Sequence, residues 1–340
     1  MDLKLHDLKQ RLSTIEQMSY SVHSRIHRLQ TFPSSSCYVK REDELGFSIS
    51  GSKIRKYRSL IPFLLANTIQ EVALIGSAYS NHVLSFSQLL IENGMKPTLF
   101  LRGDPKRRLQ GNALLTTLFI SPSSIHWISQ SEWKEVENIA HDYAKKKDYP
   151  ILVLPEGGFH TAALPGALTL PLDVLDNQEE YNIEFDHIFI DAGTGFMASA
   201  LILGLHQLNH RAHIHVLLLA DDEKAFKKRL NHCHQMFCNL MGRDMSLPRH
   251  FTLHRPSLAK GFGQMNSFLF KTIAEIAQTE GFLTDPIYSA KLFMESKRLI
   301  KQEQIEGNVL IHHSGGALTL MGFQHQLANQ FLQQPSRYVR

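Results

Sequence analysis

The chain is predicted to fold as an α/β protein of two αβα units, each a parallel sheet with flanking helices. Three observations predict it. Short apolar runs of strand length recur between helix-length amphipathic segments, the pattern of βαβ units. These alternations form two series, one from residue 53 to about 154 and a second from about 186 onward. Several strands run directly into loops of glycine and hydroxyl residues, and open α/β sheets build ligand sites at the carboxyl ends of their strands.

Composition bounds the function. The chain has 340 residues, 43% of them hydrophobic, and a formal charge of +4. That length and apolar content allow two cores. A small charge with scattered basic residues argues against nucleic-acid or membrane partners. The one dense basic run, Lys106-Arg107-Arg108, reads as a solvated loop or as a lip that attracts an anion. Three cysteines, Cys37, Cys233 and Cys238, suit a reducing compartment. Met1 to Glu16 is polar with helical spacing, unlike a targeting leader. No apolar run reaches transmembrane length. A cytoplasmic, soluble protein is expected.

In order, residues 1–31 read as a helix and a connecting arm, and 36–41 as a short strand. Residues 41–52 form a polar loop. A helix follows over about 53–67, then a strand at 71–75 ending at Gly76. The next helix covers about 80–92, closed by Asn93-Gly94. A strand at 97–101, a helix around 109–117, a strand at 125–128, a charged helix at 131–147 and a strand at 151–154 complete the first series. The second series has strands at 187–190, 212–219, near 251 and 309–312. Its helices end near 208 or span about 221–241, 266–280 and 288–305, and a last helix follows residue 316.

Lys53 carries the strongest chemical suggestion. The pair Gly51-Ser52 places it at the start of a helix, near Arg55 and Lys56. The helix dipole and the two cations both penalise its ammonium form. Such a lysine can attack an aldehyde and form an imine; taken alone, the stretch reads first as a solvated basic turn. Four loops join it. In Gly76 to His82, Ser80 and Asn81 either cap the helix or hold a carboxylate. In Asp191 to Gly195, the glycines either make a tight turn or let the backbone approach a phosphate. Asp285-Pro286-Ile287-Tyr288 is a turn signal before a helix, with a tyrosine that packs or acts. His312-His313-Ser314-Gly315-Gly316 ends a strand with a hydroxyl that could meet a flat ligand. His232, Cys233, His234 and Cys238 match no strong zinc spacing, and no metal is expected. His206, His210, His213 and His215 read as surface or packing residues.

Taken in this order, the five stretches resemble the pyridoxal-phosphate enzymes of the 1-aminocyclopropane-1-carboxylate deaminase and D-cysteine desulfhydrase family. The likeness runs from about Val39 to Gly322. It implies the tryptophan-synthase β-like architecture, fold type II. Residues 1–55 and 161–340 would form a large cofactor-binding domain and 56–160 a small inserted one. It implies pyridoxal 5'-phosphate on Lys53, which would also move the Cα proton. Lys56 would lie near the phosphate, with Gly193, Thr194 and Gly195 as the phosphate loop. Asn81 would meet the ring hydroxyl, Ser314 the pyridine nitrogen, and Ser80 and His82, with Asn81, the substrate carboxylate. Tyr288 would stand beside ring and substrate, and Lys53, Tyr288 and Ser80 would be catalytic. A hydroxyl at the pyridine nitrogen makes a mild electron sink, which suits β-elimination from a small amino acid to a 2-oxo acid and ammonia. A homodimer is implied.

Four departures weigh on the substrate. Phe196 and Met197 stand where relatives have a glycine and a threonine, which removes a hydroxyl and adds bulk beside the phosphate. Phe262 stands where relatives often have a tyrosine, Ser289 where deaminases carry an acid, and Tyr79 where glutamine is common. They favour desulfhydrase-like elimination over ring opening, with a cyclopropane deaminase or a weakened cofactor-binding homologue as alternatives.

Overall fold

A computed structural model describes residues 3–33, 36–104 and 109–332. The run Lys106 to Arg108 lies outside them. The helices are α1 (Leu3–Ser13), α2 (Lys53–Ala66), α3 (Asn81–Glu92), α4 (Asn112–Phe119), α5 (Val136–Lys145) and α6 (Leu164–Ala167). They continue with α7 (Thr169–Tyr181), α8 (Phe196–Gln207), α9 (Glu223–Met241), α10 (Ser267–Glu280), α11 (Ser289–Gln302) and α12 (Gln324–Leu332). The strands are β1 (Ile26–Arg28), β2 (Cys37–Lys40), β3 (Glu71–Ser77), β4 (Lys96–Arg102) and β5 (Ile125–Ile128). The remainder are β6 (Ile151–Leu154), β7 (His187–Ala192), β8 (His213–Leu218), β9 (Phe251–His254) and β10 (Val309–His312).

Two sheets form. One has the order β5-β4-β3-β6 and is parallel throughout. The other has the order β1-β2-β10-β7-β8-β9, parallel except for β1, which pairs antiparallel with β2. The predicted alternation is thus found, with two differences. The arm before residue 31 contains β1, and the span from 159 to 186 holds α6 and α7. The expected loop at 41–52 contains a 3-10 turn, Glu42–Ser48.

The reasons lie in burial. In β3 six of seven residues are buried, as expected of a strand covered on both faces. Helix α8 buries ten of its twelve residues, so it is apolar all round and sits inside the molecule. One core joins α2, α3 and α8 to both sheets, through Leu74 and Leu99 of the smaller and Ile188 and Ile190 of the larger. A second core lies on the opposite face of the larger sheet, around Phe189, Leu292, Phe293 and Ile311. The polar helix α9 also has a packing role: Phe226, Leu230, Cys233 and Phe237 are buried in the main core. Asp222 caps its first turn, accepting from the Ala225 N–H at 2.8 Å.

Two of the histidines read as surface or packing residues, His213 and His215, are joined with His187 and His254 on one sheet face. His215 sits between His187 and His254, with ring nitrogens 3.0 Å apart on each side, and stacks on Phe189. His213 packs edge-on to His215 and bonds Thr252 at 2.7 Å. Burial, reinforced by His213, His254 and His187, pushes the His215 imidazole down to about 2. The folded chain therefore leaves this ring neutral while the unfolded chain protonates it below about 6.5. Stability from this site is complete above pH 6.5 and falls as the pH drops from there toward 2. The slope is about 1.4 kcal/mol per pH unit for one proton. Replacing His215 with Phe is expected to shrink the fall in melting temperature between pH 7 and pH 5. Parallel melting curves against pH for the two proteins would rule this out.

Candidate active site

The carboxyl ends of both sheets open on one cavity of about 690 Å³. Every candidate site residue lines it: Lys53, Lys56, Ser80, Asn81, His82, Gly193, Thr194, Gly195, Tyr288 and Ser314. Residues more than 200 positions apart are thus brought together by the sheet topology.

Lys53 opens α2, as predicted. Its position is set by Gly51, where a Cβ would collide with the Ser314 carbonyl and φ is +53°. The Ser52 N–H donates to that carbonyl at 3.1 Å. The helix start is thereby tied to the loop after β10. Burial lowers the Lys53 pKa, and Asp191 and Asp285 oppose the shift. Arg55 does not contribute as expected: its guanidinium is buried away from the cavity, on Glu42 and Asp173. Lys56 donates to the Gly157 carbonyl. Burial and then Lys53 hold its pKa well below the ordinary lysine value.

At α3 the capping alternative holds for Ser80. Its hydroxyl accepts from the N–H groups of His82 at 3.2 Å and Val83 at 3.3 Å. Asn81 is fixed by residues that sequence patterns did not single out. Its Oδ1 accepts from Asn112 Nδ2 at 2.6 Å and Thr319 Oγ1 at 3.1 Å. This leaves Nδ2 as its remaining donor. His82 shares a 2.7 Å bond between Nδ1 and the Tyr57 hydroxyl, while Nε2 is buried with no partner among the described residues. Burial, then Lys56 and Lys53, keep this ring neutral, with its pKa well below the usual histidine range.

The glycine loop after β7 is held by close approach. A Cβ on Gly193 would lie 3.1 Å from the Tyr288 ring, and one on Gly157 would collide with Thr194. Helix α8 then begins with no side chain capping it, which leaves its first N–H groups for a ligand. The expected bulk beside this loop is present, since Phe196 and Met197 both line the cavity, and the Phe196 ring is buried and packs edge-on to Phe159. Ser289 does not face the cavity as its neighbour Tyr288 does. It is buried and exchanges bonds with Asp285, its Oγ donating to Oδ2 at 2.8 Å and accepting from the Asp285 N–H at 2.7 Å. Phe262 stands over Tyr288, rings edge-on at 6.0 Å, so no phenol occupies that side. Burial, then Asp285 and Asp191, raise the Tyr288 pKa, so its hydroxyl stays protonated.

These residues fit a flat aldehyde carrying a phosphate. A lysine of lowered pKa, a glycine cradle at an uncapped helix start and a second lysine offer the two ends of such a molecule their partners. Of the metal-like residues, Cys233 is buried in the core and Cys238 Sγ lies 3.6 Å from His234 Nε2.

A family model described as pyridoxal-phosphate dependent enzyme matches residues 24–315. A Thermotoga maritima protein provisionally named 1-aminocyclopropane-1-carboxylate deaminase is 27% identical, over 89% of this chain and 95% of its own. D-cysteine desulfhydrase of Serratia proteamaculans is 22% identical, over 89% of this chain and 93% of its own. The crystal structure of a 1-aminocyclopropane-1-carboxylate deaminase homologue superposes with a TM-score of 0.83 at 22% identity, covering 97% of this chain and all of that one.

Proposed function

Because the chain belongs to the family of pyridoxal-phosphate-dependent enzymes, we propose that it catalyses β-elimination from a small amino acid, D-cysteine before a cyclopropane amino acid. The observation that carries this reading is the convergence of Lys53, Tyr288, Asn81, Ser314 and the glycine loop on one cavity. The family's cofactor is pyridoxal phosphate, which when bound supplies an electron sink for negative charge at the substrate Cα. Lys53 and Lys56 would hold it with the glycine loop, Asn81 and Ser314.

The chain's own residues do the rest. Lys53 Nζ takes the Cα proton, and burial, which lowers its pKa, favours the neutral amine that does so. The Asn81 amide, whose Nδ2 is its remaining donor, orients the substrate carboxylate. Tyr288, protonated and lining the cavity, would hydrogen-bond the departing sulfur. For D-cysteine the balance is substrate plus water giving a 2-oxo acid, ammonia and sulfide. Phe262 in place of a phenol, and Ser289 locked in the α11 cap, favour this over opening a cyclopropane ring, because neither offers an acid or nucleophile.

The test is to load purified protein with pyridoxal phosphate and offer D-cysteine, L-cysteine and 1-aminocyclopropane-1-carboxylate. Sulfide and ammonia released in equal amounts from D-cysteine is the expected result. Ammonia from the cyclopropane substrate without sulfide from D-cysteine would reverse the preference. A retained cofactor with no turnover of any of the three would support the weakened homologue instead.

The division into a large domain of residues 1–55 and 161–340 and a small one of 56–160 is proposed with this reading, supported by the membership of the two sheets. So is a homodimer, which sedimentation can check. No helix among the described residues is long and apolar enough to cross a membrane. A cytoplasmic location rests on composition and on the three cysteines.

A further inference from the structure

Helix α11 begins directly after Tyr288, and it carries two buried charges that the proposed reaction leaves unused. Lys291 and Glu295 follow Tyr288 by three and seven residues, so the three share one helix face. Lys291 and Glu295 are each 1% exposed. A lysine and a glutamate four apart on a helix can pair with each other. Here each is spent instead on the same neighbouring loop. Lys291 Nζ donates to the carbonyls of Ala259 at 2.9 Å and Gly261 at 3.3 Å. Glu295 Oε1 accepts from the Ser257 N–H at 2.6 Å and from its hydroxyl at 2.5 Å. Its Oε2 accepts from Arg298 Nε at 2.7 Å.

That loop, residues 255–265, follows β9 and forms part of the cavity wall through Phe262, Gly263 and Met265. Apolar burial does little to hold its tip, since Leu258 and Phe262 are both exposed. Ala259 stands at φ +50°, a left-handed conformation that a residue with a side chain keeps only where its surroundings impose it. The tip is tied to itself, the Gly261 N–H donating to Gln264 Oε1 and the Gln264 N–H to the Gly261 carbonyl, both at 3.0 Å. It is tied to α11 by the two buried side chains. A buried ammonium is costly unless its hydrogen bonds are made. Asp285, whose charge acts on Lys291, is itself taken up by the N–H groups of Ile287, Tyr288 and Ser289. The loop carbonyls therefore carry the Lys291 bonds.

We infer that Lys291 is a positioning residue for the substrate: it clamps the loop 255–265 so that Phe262 stands over Tyr288 and walls one side of the cavity. The role toward substrate rests on the function proposed above, while the clamp does not. A wall already fixed in the free protein lets a small amino acid bind without first ordering the loop. Loss of the clamp therefore weakens binding more than it slows the chemistry. Cofactor capture is expected to survive, because the Lys291 bonds go to the loop and not to Lys53 or the glycine loop.

The experiment compares the natural chain with K291M, which keeps an unbranched stem and removes the donors. Trypsin reads the loop whether or not substrate turns over. Lys260 is exposed and is the position in the loop open to cleavage, because Arg255 is followed by Pro256. K291M should be cut after Lys260 at least about tenfold faster than the natural chain, followed by peptide mass spectrometry. With pyridoxal phosphate and D-cysteine, K291M should show a KM raised about tenfold and a kcat within about threefold of the natural value. Borohydride should fix as much cofactor to the Lys53 peptide as before, and K291R, which keeps the donors, should restore part of both losses. Equal cutting rates overturn the inference. So does faster cutting at an unchanged KM, or a fall in kcat alone. If K291M fails to fold, the natural chain decides: cutting after Lys260 as fast as in the free peptide overturns the clamp, and protection of about 100-fold or more supports it. If the loop loosens as expected but the natural chain turns over no amino acid, the proposed function fails while the clamp stands.

Discussion

Replacing Lys53 with alanine is expected to abolish cofactor capture and turnover together, while the fold is kept. The residual rate should lie about 10³-fold or more below the natural enzyme, since a nucleophile and a proton carrier are lost at once. The two losses have separate readouts. Borohydride treatment of the natural protein should fix pyridoxal phosphate to the peptide containing Lys53, and the variant should retain none. Stability should change little, because Lys53 is tied down through its backbone and the Ser52 N–H rather than through its amine. Its burial carries a desolvation cost that alanine relieves. Near-ultraviolet dichroism and a thermal melt would verify this. A variant within tenfold of natural activity would remove Lys53 from the reaction and, with it, the reading of the cavity.

The residues legible in the sequence share a local signature. Lys53 follows a Gly-Ser pair, Asn81, Gly193 and Ser314 sit where a strand hands over to a helix, and Tyr288 lies in the Asp-Pro turn just before α11. Loops of that kind gather at the carboxyl edge of a parallel sheet, so order along the chain was enough to collect them. What was illegible depends on contacts across long separations. Asn112 and Thr319 orient Asn81 from 31 and 238 residues away. The Asp191 carboxylate was visible in its loop, but that its Oδ1 is buried without a partner among the described residues follows from packing alone. The Lys53 pKa is lowered by burial, without a contribution from Arg55. Helix proximity suggested Arg55, yet side chains two apart on a helix point in different directions. The three residues of β1 are too few to show alternation. Pro165 and Pro171 mask α6 and α7; one lies in the first turn of its short helix, where proline costs nothing.

Arg55 is where the largest stability effect is expected, for the reason that removes it from the cavity. Its guanidinium is fully buried beneath α2 with Lys40 and Glu42, and Asp173 is nearly so. Arg55 donates to both oxygens of Glu42 at 2.6 Å and to Asp173 Oδ2 at 2.5 Å. Lys40 Nζ pairs with Asp173 at 2.6 Å and donates to Asn177 Oδ1 at 2.5 Å. Two buried cations and two carboxylates therefore balance, and the half-exposed His23 adds a 2.7 Å contact to Asp173 Oδ1 at the edge of the cluster. Burial alone would push the Glu42 carboxyl up, but Arg55 holds it well below the usual range. Changing Arg55 to Met keeps the volume and leaves Glu42 and Asp173 sharing Lys40. The expected loss is about 3–5 kcal/mol, the cost of breaking a buried pair from one side. It is read as a lower urea midpoint at unchanged slope. Adding Glu42→Gln should recover part of it, because the unpaired charge is then removed. The effect reaches the site through α2, whose first residue is Lys53, so cofactor affinity should fall alongside stability. A loss below about 1 kcal/mol in R55M would show that water or a protonated carboxyl replaces the guanidinium without cost, and the cluster would then not be what holds α2 in place.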